Sequence, residues 1–544
     1  MTHRLLRLAA LSLAIGSGMT ATVARSAPAP GVDRERLDQR RPTPRRLHRA
    51  PQPPTPPKTP RSFQPFVLTA VRLEGSTASP AVVDDAIRPF VGRTIDAKAL
   101  QALTDVVGKA HEQRADVALY TVLAPDQDFS GGVVRLTIIE GYIEEVAIQG
   151  AQGHGVTLVK AYARKLAAER PLKRSTLQRY SALIRDIPGL NPELQLIAGQ
   201  NKGAVRLVIE LHPHPVQVAL GVNNRGTAFL GRAQFQGDLY LNSLLTQGDQ
   251  TRLSVATASD TSLFQYYSAA HSRPLGGDGA SLVVSGGYLH TRPKSSGLDG
   301  HAASLGVQVS YPLIRDDRRS LYLTAGLDGL NADNALFGFT FSDDRSRALR
   351  IGAIWSQTGA SEQSSLSAAA SFGLDALGAH AFDPRVTQLK FVKLNLRGAY
   401  DRQLAKSVIL RLAATAQLSG DRLPASELMT LGGEDFGRAY EAAFVTGDYG
   451  YAGSAELALR PSRLPHAVEG SEAYLFADDG RVWSRARLGF PTQRYDVASA
   501  GGGMRVTMAA HAVLQLEAAR GLTNPLPFED REHWRGVVSV RTLF

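Results

Sequence analysis

Hydrophobic and polar residues alternate along most of the chain after residue 214. From Val392 to Asp401, valine, leucine, glycine or tyrosine fills the even positions, and four of the five odd positions are polar or charged. Residues 410–418 and 514–517 show the same period, which places successive side chains on opposite faces of a β-strand. Such strands build either a soluble sandwich, whose apolar faces pack together, or a transmembrane barrel, whose apolar faces meet lipid.

Sixteen alternating segments can be placed between Pro215 and the last residue, Phe544. An even count, with ~9–11 residues per segment, suits a single-chain outer-membrane barrel. The last segment begins near Trp534 and alternates to the end of the chain, and the longest stretch without a predicted strand separates segments eleven and twelve. The predicted segments start near residues 215, 229, 249, 262, 280, 301, 320, 346, 364, 388, 408, 447, 469, 494, 512 and 532.

The N-terminus has the pattern of a secretory signal peptide. Arg4 and Arg7 precede an apolar stretch from Leu8 to Val23, and Ala24-Arg25-Ser26 is a small-x-small cleavage site. A transmembrane anchor is the alternative, but glycine, serine and threonine interrupt the stretch. No later run reaches the ~18 apolar residues of a spanning helix, so a membrane-embedded mature chain would have to be a barrel.

The chain contains no cysteine, as expected of a protein that crosses an oxidising compartment unfolded. Its formal net charge of +11 is concentrated near the N-terminus, where residues 1–26 carry +3 and residues 27–65 carry +6. Residues 27–65 also hold eleven of the 29 prolines and predict a semi-extended linker. Residues 31–49 form either a short plug helix or a disordered tail. Because the charge lies in a tail and not on a folded face, we exclude nucleic-acid binding.

Residues 66–212 contain one structural unit twice. The first copy predicts a strand over 67–75, helices over 81–90 and 96–113, and strands over 117–123 and 132–140. The second copy predicts the same β-α-α-β-β order between Tyr142 and Leu211. Two copies of ~70 residues are an internal repeat.

No catalytic or metal-binding motif is present. The chain lacks Gly-x-Ser-x-Gly, His-Glu-x-x-His and P-loop patterns, and His212-Pro213-His214 lacks metal-ligand spacing. We therefore expect no enzyme activity, no cofactor and no metal.

The tandem β-α-α-β-β units resemble POTRA domains. The join between them is similar to that of two-partner secretion transporters (TpsB; ShlB/FhaC/HecB family), which belong to the Omp85 superfamily. The residues that carry this similarity are Ala124-Pro-Asp-Gln-Asp128, followed by Leu136-Thr-Ile-Ile-Glu-Gly141. The resemblance implies a mainly β fold with an α+β N-terminal part, in which two POTRA domains precede a 16-stranded transmembrane β-barrel. The expected organisation is a signal peptide (1–26), a Pro-rich basic linker (27–65), POTRA 1 (66–140), POTRA 2 (141–212) and the outer-membrane barrel (213–544).

Two further motifs match the same superfamily. The stretch between segments eleven and twelve resembles the loop-6 signature, although Gly437 and Ala439 depart from the usual Val and Gly, and the next strand resembles the family's Phe-x-Asp-x-Gly. The resemblance implies that the loop folds into the lumen, where we expect Arg438 to pair with Asp478. The alternative is that Asp478 merely faces luminal water and Arg438 lies in an exposed loop. The candidate residues are Gly432, Gly433, Arg438 and Tyr440 in the loop, Phe476, Asp478 and Gly480 on the barrel wall, and Trp534, Val538, Val540 and Phe544 in the C-terminal outer-membrane signal.

The resemblance implies a transporter in a Gram-negative outer membrane with its POTRA domains in the periplasm. It would capture an unfolded TpsA-like exoprotein (haemolysin, haemagglutinin or adhesin type) and translocate it without ATP. Expected partners are this exoprotein, outer-membrane lipid and, during biogenesis, the barrel assembly machinery, with the transporter itself monomeric. Two alternatives remain: an Omp85-type insertase, and a passive porin whose N-terminal units bind a periplasmic partner.

Overall fold

The structure, a computed structural model, describes residues 64–77, 81–150, 156–337, 339–508, 512–525 and 534–544. The predicted signal peptide, plug helix and nearly all of the linker lie outside the described residues. The folded chain divides into two compact units. Among the described residues, one unit contains residues 64–214 with Arg315–Asp317, and the other contains Pro215–Ile314 with Arg318–Phe544.

The first unit begins with a β-α-α-β-β fold. Strand β2 pairs in parallel with β5, which pairs antiparallel with β4, and the short β1 and β3 form a separate ribbon. Helices α1 and α2 bury Val83, Leu100, Leu103 and Val107 in one core with the sheet. The elements are β1 (Phe66–Val67), β2 (Ala70–Glu74), α1 (Ala81–Ile87), a 3₁₀ turn (Arg88–Phe90), β3 (Thr94–Ile95), α2 (Ala97–Arg114), β4 (Tyr120–Leu123) and β5 (Val133–Glu140).

The same fold follows directly in the chain. Strand β6 pairs in parallel with β8, and β7 pairs antiparallel with β8. Val159, Leu166 and Ile184 are fully buried in its core. The elements are β6 (Tyr142–Gln149), α3 (Thr157–Ala167), α4 (Arg174–Arg185), β7 (Glu193–Ala198) and β8 (Ala204–Glu210).

The segment between β4 and β5 is anchored by the side chain of Gln127. Its Nε2 donates to the carbonyl of Arg135 at 2.9 Å, and its Oε1 accepts from the Arg135 N–H at 2.7 Å. Asp128 accepts from the backbone N–H and the hydroxyl of Ser130 at 2.9 and 2.8 Å. This side-chain pairing gives the Ala124–Asp128 motif a local structural role beside β5.

The second unit is a closed antiparallel barrel of sixteen strands, β9–β19 and β22–β26, as the alternation predicts. Every predicted segment start lies within seven residues of an observed strand start. The strands are β9 (Val216–Asn223), β10 (Gln234–Asn242), β11 (Gln250–Ala258), β12 (Phe264–Leu275), β13 (Ala280–Thr291), β14 (Leu298–Arg315), β15 (Arg319–Leu336), β16 (Phe339–Thr358), β17 (Glu362–Gly373), β18 (Val392–Ala405), β19 (Val408–Ser419), β22 (Tyr449–Leu459), β23 (Glu472–Ser484), β24 (Gln493–Met508), β25 (Ala512–Gly521) and β26 (Trp534–Leu543).

Burial follows the alternation, with apolar residues on the outside of the barrel and polar residues inside. Leu475 is 69% exposed, whereas its neighbour Tyr474 is 3% exposed. Leu418 is 53% exposed beside Gln417 at 3%. This distribution is that of a lipid-facing barrel with a polar lumen. Among the described residues, no α-helix is both long and apolar enough to span a membrane.

The barrel closes between its first and last strands. β26 pairs antiparallel with β9 from Ser539 opposite Asn223 to Leu543 opposite Ala219. The Phe544 N–H donates to the Val218 carbonyl at 2.8 Å, and the Val218 N–H donates back to Phe544 at 3.1 Å. The last residue is therefore part of the closing ladder.

Candidate functional site

The connection between β19 and β22 folds back into the barrel. It contains a 3₁₀ turn (Ala425–Glu427) and a two-stranded hairpin of β20 (Met429–Leu431) and β21 (Val445–Gly447). Met429, Leu431, Phe436 and Tyr440 share a buried cluster with Phe476 and other inward-facing residues of the wall. This luminal hairpin (residues 428–448) holds the predicted loop motif at its tip.

Two glycines shape the tip. Gly432 and Gly433 have φ angles of +105° and +113°, which side-chain-bearing residues rarely adopt. A Cβ on Gly432 would lie 2.2 Å from the carbonyl oxygen of Glu441. Backbone conformation thus favours glycine at both positions, and close packing within the tip also requires it at Gly432.

Asp478 holds the tip through backbone groups. Its Oδ1 accepts the Gly437 N–H at 2.7 Å and the Ser499 hydroxyl at 2.7 Å, and its Oδ2 accepts the Arg438 N–H at 3.4 Å. The side chain lies on the inner face of β23 and is 5% exposed. A buried carboxylate with several donors is a strong, directional anchor.

The Arg438 guanidinium makes different contacts from those predicted. Its Nη1 lies 3.1 Å from Glu456 on β22 and 3.3 Å from Glu517 on β25, and its Cζ lies 4.2 Å from the centre of the Phe476 ring. The predicted guanidinium–carboxylate pair with Asp478 is therefore wrong, because the Arg438 backbone faces Asp478 and its side chain extends along the wall. Arg438 and Asp478 do meet, but through the main chain.

The two departures from the loop signature fit this geometry. Gly437 has a φ of +72°, and a Cβ there would lie 3.1 Å from the Gly432 nitrogen. Ala439 is 5% exposed and is not among the described residues with positive φ. Its methyl group is therefore accommodated without backbone strain.

Tyr440 extends the anchor to the neighbouring strands. It is fully buried, and its hydroxyl donates to the Thr523 carbonyl at 2.6 Å, just beyond β25. Arg535 of β26 donates to the Tyr440 carbonyl. One tip thereby contacts β23, β24, β25 and β26.

Gly480 leaves room for the hairpin, as the sequence predicts. A Cβ at this position would lie 2.8 Å from the Ala452 Cβ and 2.9 Å from Leu431 Cδ1 of strand β20. Phe476, Asp478 and Gly480 share the inner face of β23, whereas Asp479 is exposed on the other face. All seven predicted residues of the loop and the wall are therefore brought together.

Sequence reasoning missed the acidic partners of Arg438. Glu456 also accepts from Arg505 at 2.6 Å and from Arg411 at 2.7 Å, and Glu517 accepts from the Tyr474 hydroxyl at 2.8 Å. The inward position of Glu517 in its alternating strand was a usable signal. No sequence pattern indicates that Glu517 pairs with Arg438, because the pairing depends on which strands the closed barrel places beside the tip.

Two more acidic residues fix the base of the hairpin. Glu427 lies 2.6 Å from Lys393 Nζ and 2.7 Å from Arg350 Nη2 on the wall. Asp448 accepts the Leu423 N–H at 2.7 Å and Arg487 Nη2 at 2.6 Å. The luminal segment is held by charge at its base as well as at its tip.

The residues of the predicted C-terminal signal lie on the outer face of β26. Trp534, Val538 and Phe544 are 64%, 48% and 70% exposed, and Val540 has the same parity. Arg535 and Val537 point inward. The four residues form an apolar stripe at the closing edge of the barrel.

Comparison with known proteins agrees with this architecture. Residues 203–506 match the family "Haemolysin secretion/activation protein ShlB/FhaC/HecB", and residues 66–141 match the "POTRA domain, ShlB-type". The chain is 21% identical over 494 residues to the heme/hemopexin transporter protein HuxB of Haemophilus influenzae (strain 86-028NP), covering 87% of each chain. It is 24% identical over 454 residues to the outer membrane transporter CdiB of Escherichia coli O6:K15:H31, covering 77% of this chain and 76% of CdiB.

Solved structures show the same fold. CdiB from Escherichia coli superposes with a TM-score of 0.73 at 20% identity, covering 98% of each chain. BamA from Haemophilus ducreyi, without its POTRA domains 1–3, gives a TM-score of 0.50 at 12% identity and covers 88% of this chain and all of that one. Since the family match spans more than half of the sequence, the chain belongs to the ShlB/FhaC/HecB family, the TpsB-type outer-membrane transporters of the Omp85 superfamily, whose POTRA domains are periplasmic.

Proposed function

We propose that this transporter secretes an unfolded TpsA-like exoprotein, which its POTRA domains capture and its barrel passes outward without ATP. The observation that carries the proposal is the luminal hairpin, which is packed against the wall and held by several buried charged groups. A protein conduit must stay closed between substrates, and a buried tether of this kind would keep it closed.

The contacts suggest how the conduit opens. Hydrogen bonds to the Asp478 carboxylate and ion pairs from the Arg438 guanidinium are among the polar contacts that hold the tip. An extended polypeptide carries a backbone donor and acceptor at nearly every residue, and it would compete for these groups. Entering cargo would thus displace the hairpin and replace its contacts, so that the barrel opens only when cargo is present.

Capture in the periplasm would use sheet edges. Strand β7 pairs only with β8 and lies at the edge of its three-stranded sheet, and Ile197 on it is 46% exposed. An extended chain adds to such an edge through main-chain hydrogen bonds, so capture requires little sequence specificity. Folding of the cargo outside the cell, into a β-helix if it resembles the family's substrates, would make the passage directional without ATP.

The fold also supports the remaining proposed partners. The apolar outer surface would contact outer-membrane lipid, the exposed C-terminal stripe would be recognised by the barrel assembly machinery, and one chain forms a complete barrel, which supports a monomer.

Deletion of the gene, followed by comparison of the secreted and outer-membrane protein fractions, tests the proposal. We expect the loss of one large exoprotein encoded by a neighbouring gene, with unchanged outer-membrane composition, and recovery when the transporter is supplied again. Depletion of many barrel proteins would instead establish an insertase. An unchanged exoprotein fraction, together with altered uptake of small solutes, would establish a passive pore.

A further inference from the structure

Two histidines and one aspartate meet on the outer surface of the barrel. His290 of β13 and His301 of β14 are directly opposite in the strand register, and Asp299 lies two residues before His301 on the same face. The His290 Nε2 is 2.9 Å and the His301 Nε2 is 3.2 Å from the same Asp299 Oδ1. The imidazole rings are parallel, with centroids 4.6 Å apart.

From this geometry we propose that His290, His301 and Asp299 form a binding site for a Zn²⁺-class divalent metal ion. The three ligand atoms lie within 4.8 Å of one another. Zn²⁺ requires ligand distances of about 2.0–2.2 Å, so the three side chains would rotate to reach an ion placed between them. Two imidazoles and a carboxylate with a water as fourth ligand suit Zn²⁺ better than Ca²⁺ or Mg²⁺, which prefer oxygen ligands.

Neighbouring side chains orient the proposed ligand atoms of His301 and Asp299. The His301 Nδ1 lies 2.8 Å from the Tyr288 hydroxyl, a contact that orients the ring. With a metal on Nε2, Nδ1 would carry the imidazole proton and donate it to this hydroxyl. Arg292 Nη2 lies 2.6 Å from Asp299 Oδ2, so the ion pair holds the carboxylate by one oxygen and leaves Oδ1 for the ion.

The site has access to water. The side chains of His290, Asp299 and His301 are 18%, 30% and 44% exposed, and a cavity of about 630 Å³ is lined in part by Asp299 and His301. β13 is the fifth strand from the periplasmic start of the barrel, so the β13–β14 turn is extracellular. On the same face of β14, Leu305 is 65% exposed in the lipid-facing band. The ion would therefore cross-link two strands just above the membrane.

The alignment of His290 with His301 explains why no motif marks the site. The two residues are eleven positions apart in sequence, and only the hairpin register places them together. A hydrogen-bonded His–Asp–His cluster without metal is the competing interpretation.

Equilibrium dialysis of the full-length, untagged protein in detergent against Zn²⁺, with bound metal measured by mass spectrometry, distinguishes the two. We expect one tightly bound Zn²⁺ in the wild type and in the control His466→Ala, which removes an exposed histidine at the other end of the barrel. Asp299→Asn, which keeps the size of the side chain, should weaken binding at least tenfold, and His290→Ala/His301→Ala should abolish it. Tyr288→Phe should weaken binding about 10–100-fold.

Folding of each variant is checked by its heat-dependent migration on gels. Bound Co²⁺ provides a second measurement, since its visible absorption bands report four-coordinate nitrogen and oxygen ligands. Wild-type affinity in the double histidine variant would overturn the site. So would equal loss in His466→Ala, or Co²⁺ bands that Asp299→Asn leaves unchanged.

Discussion

The carboxylate of Asp478 on the barrel wall accepts the backbone N–H of Gly437 at the hairpin tip at 2.7 Å. The bond ties the loop to the wall by its main chain, so its strength does not depend on a long flexible side chain. The positive φ of Gly437 presents this N–H toward β23. Loop and wall are thus joined at a backbone position that only a few residue types can occupy.

Removing this carboxylate should release the tip. Asp478→Ala leaves the N–H groups of Gly437 and Arg438 without an acceptor, at a cost of about 1–3 kcal/mol for each buried donor. We expect secretion to fall at least tenfold. Since the natural chain has no cysteine, Ala439→Cys, buried in the tip, reports release by labelling with an impermeant maleimide.

Asp479→Asn is the matched control, because it removes the same charge one position along, on the exposed face. It should secrete normally and leave the buried cysteine unlabelled. If the cysteine stays unlabelled in Asp478→Ala as well, and this variant secretes the exoprotein normally, the proposed tether does not hold the loop.

Loss of the Arg438 side chain should act through Glu517. Glu456 keeps Arg505 and Arg411, but Glu517 would retain only Arg225, 3.5 Å away, as an ion-pair partner among the described residues. Breaking a buried pair from one side costs about 3–5 kcal/mol. Arg438→Ala should therefore lower the unfolding temperature and secretion together, and Glu517→Gln in the same chain should restore part of both.

Arg397→Ala supplies the comparison for Arg438. Arg397 also pairs with the hairpin, at Asp435, but both side chains are more than one-third exposed, so the loss should be within about 1 kcal/mol. Equal effects of the two arginine variants, or no rescue by Glu517→Gln, would contradict the assigned contacts.

The barrel strands were predictable because lipid outside and a polar lumen inside impose a period of two on every strand. The predicted start of β16 was seven residues late, since its extension carries Asp343, Asp344 and Arg345 in place of alternating apolar residues. The site residues were predictable from motifs. The partner of Arg438 was not, because the alternation shows that Glu456 and Glu517 face inward but not that the tip lies between their strands.

A methyl group at Gly480 should push the hairpin away from the wall. The new Cβ would lie 2.9 Å from Leu431 Cδ1 and 2.8 Å from the Ala452 Cβ, and such overpacking costs about 1–3 kcal/mol. In Gly480→Ala, single-channel recordings should show more frequent or longer open events. Gly453→Ala on the adjacent strand is the control, because its new Cβ would lie at an ordinary contact distance of 3.7 Å from the Ala413 carbonyl oxygen. Its channel recordings should match those of the wild type.

Phe544 should govern delivery to the membrane. Its side chain is 70% exposed, whereas its main chain completes the ladder with Val218. Phe544→Ala therefore keeps the backbone pairing and removes only the aromatic ring at the end of the apolar stripe. We expect several-fold less folded barrel in outer-membrane fractions, but unchanged thermal stability of the fraction that inserts. Leu543→Ala, on the opposite face, should show normal delivery, and a stability loss in Phe544→Ala would indicate a structural role instead.

The first POTRA domain should lose stability in mild acid through His111. This side chain is 1% exposed, its Nε2 lies 3.3 Å from Glu140 Oε1, and burial lowers its pKa below the usual 6.5 despite the opposing effect of the carboxylate. The unfolded chain therefore binds a proton that the folded domain rejects. The contribution of neutral His111 to the free energy of unfolding is fully present above pH 6.5. It falls as the pH drops from 6.5 toward the lowered pKa, by at most about 1.4 kcal/mol per pH unit. Hydrogen exchange of peptides from α2 in the full-length protein, corrected for the intrinsic pH dependence of exchange, measures this fall. His111→Gln should flatten the profile, since its amide stays neutral and still faces Glu140, and a profile as steep as that of the wild type would assign the acid sensitivity to another group.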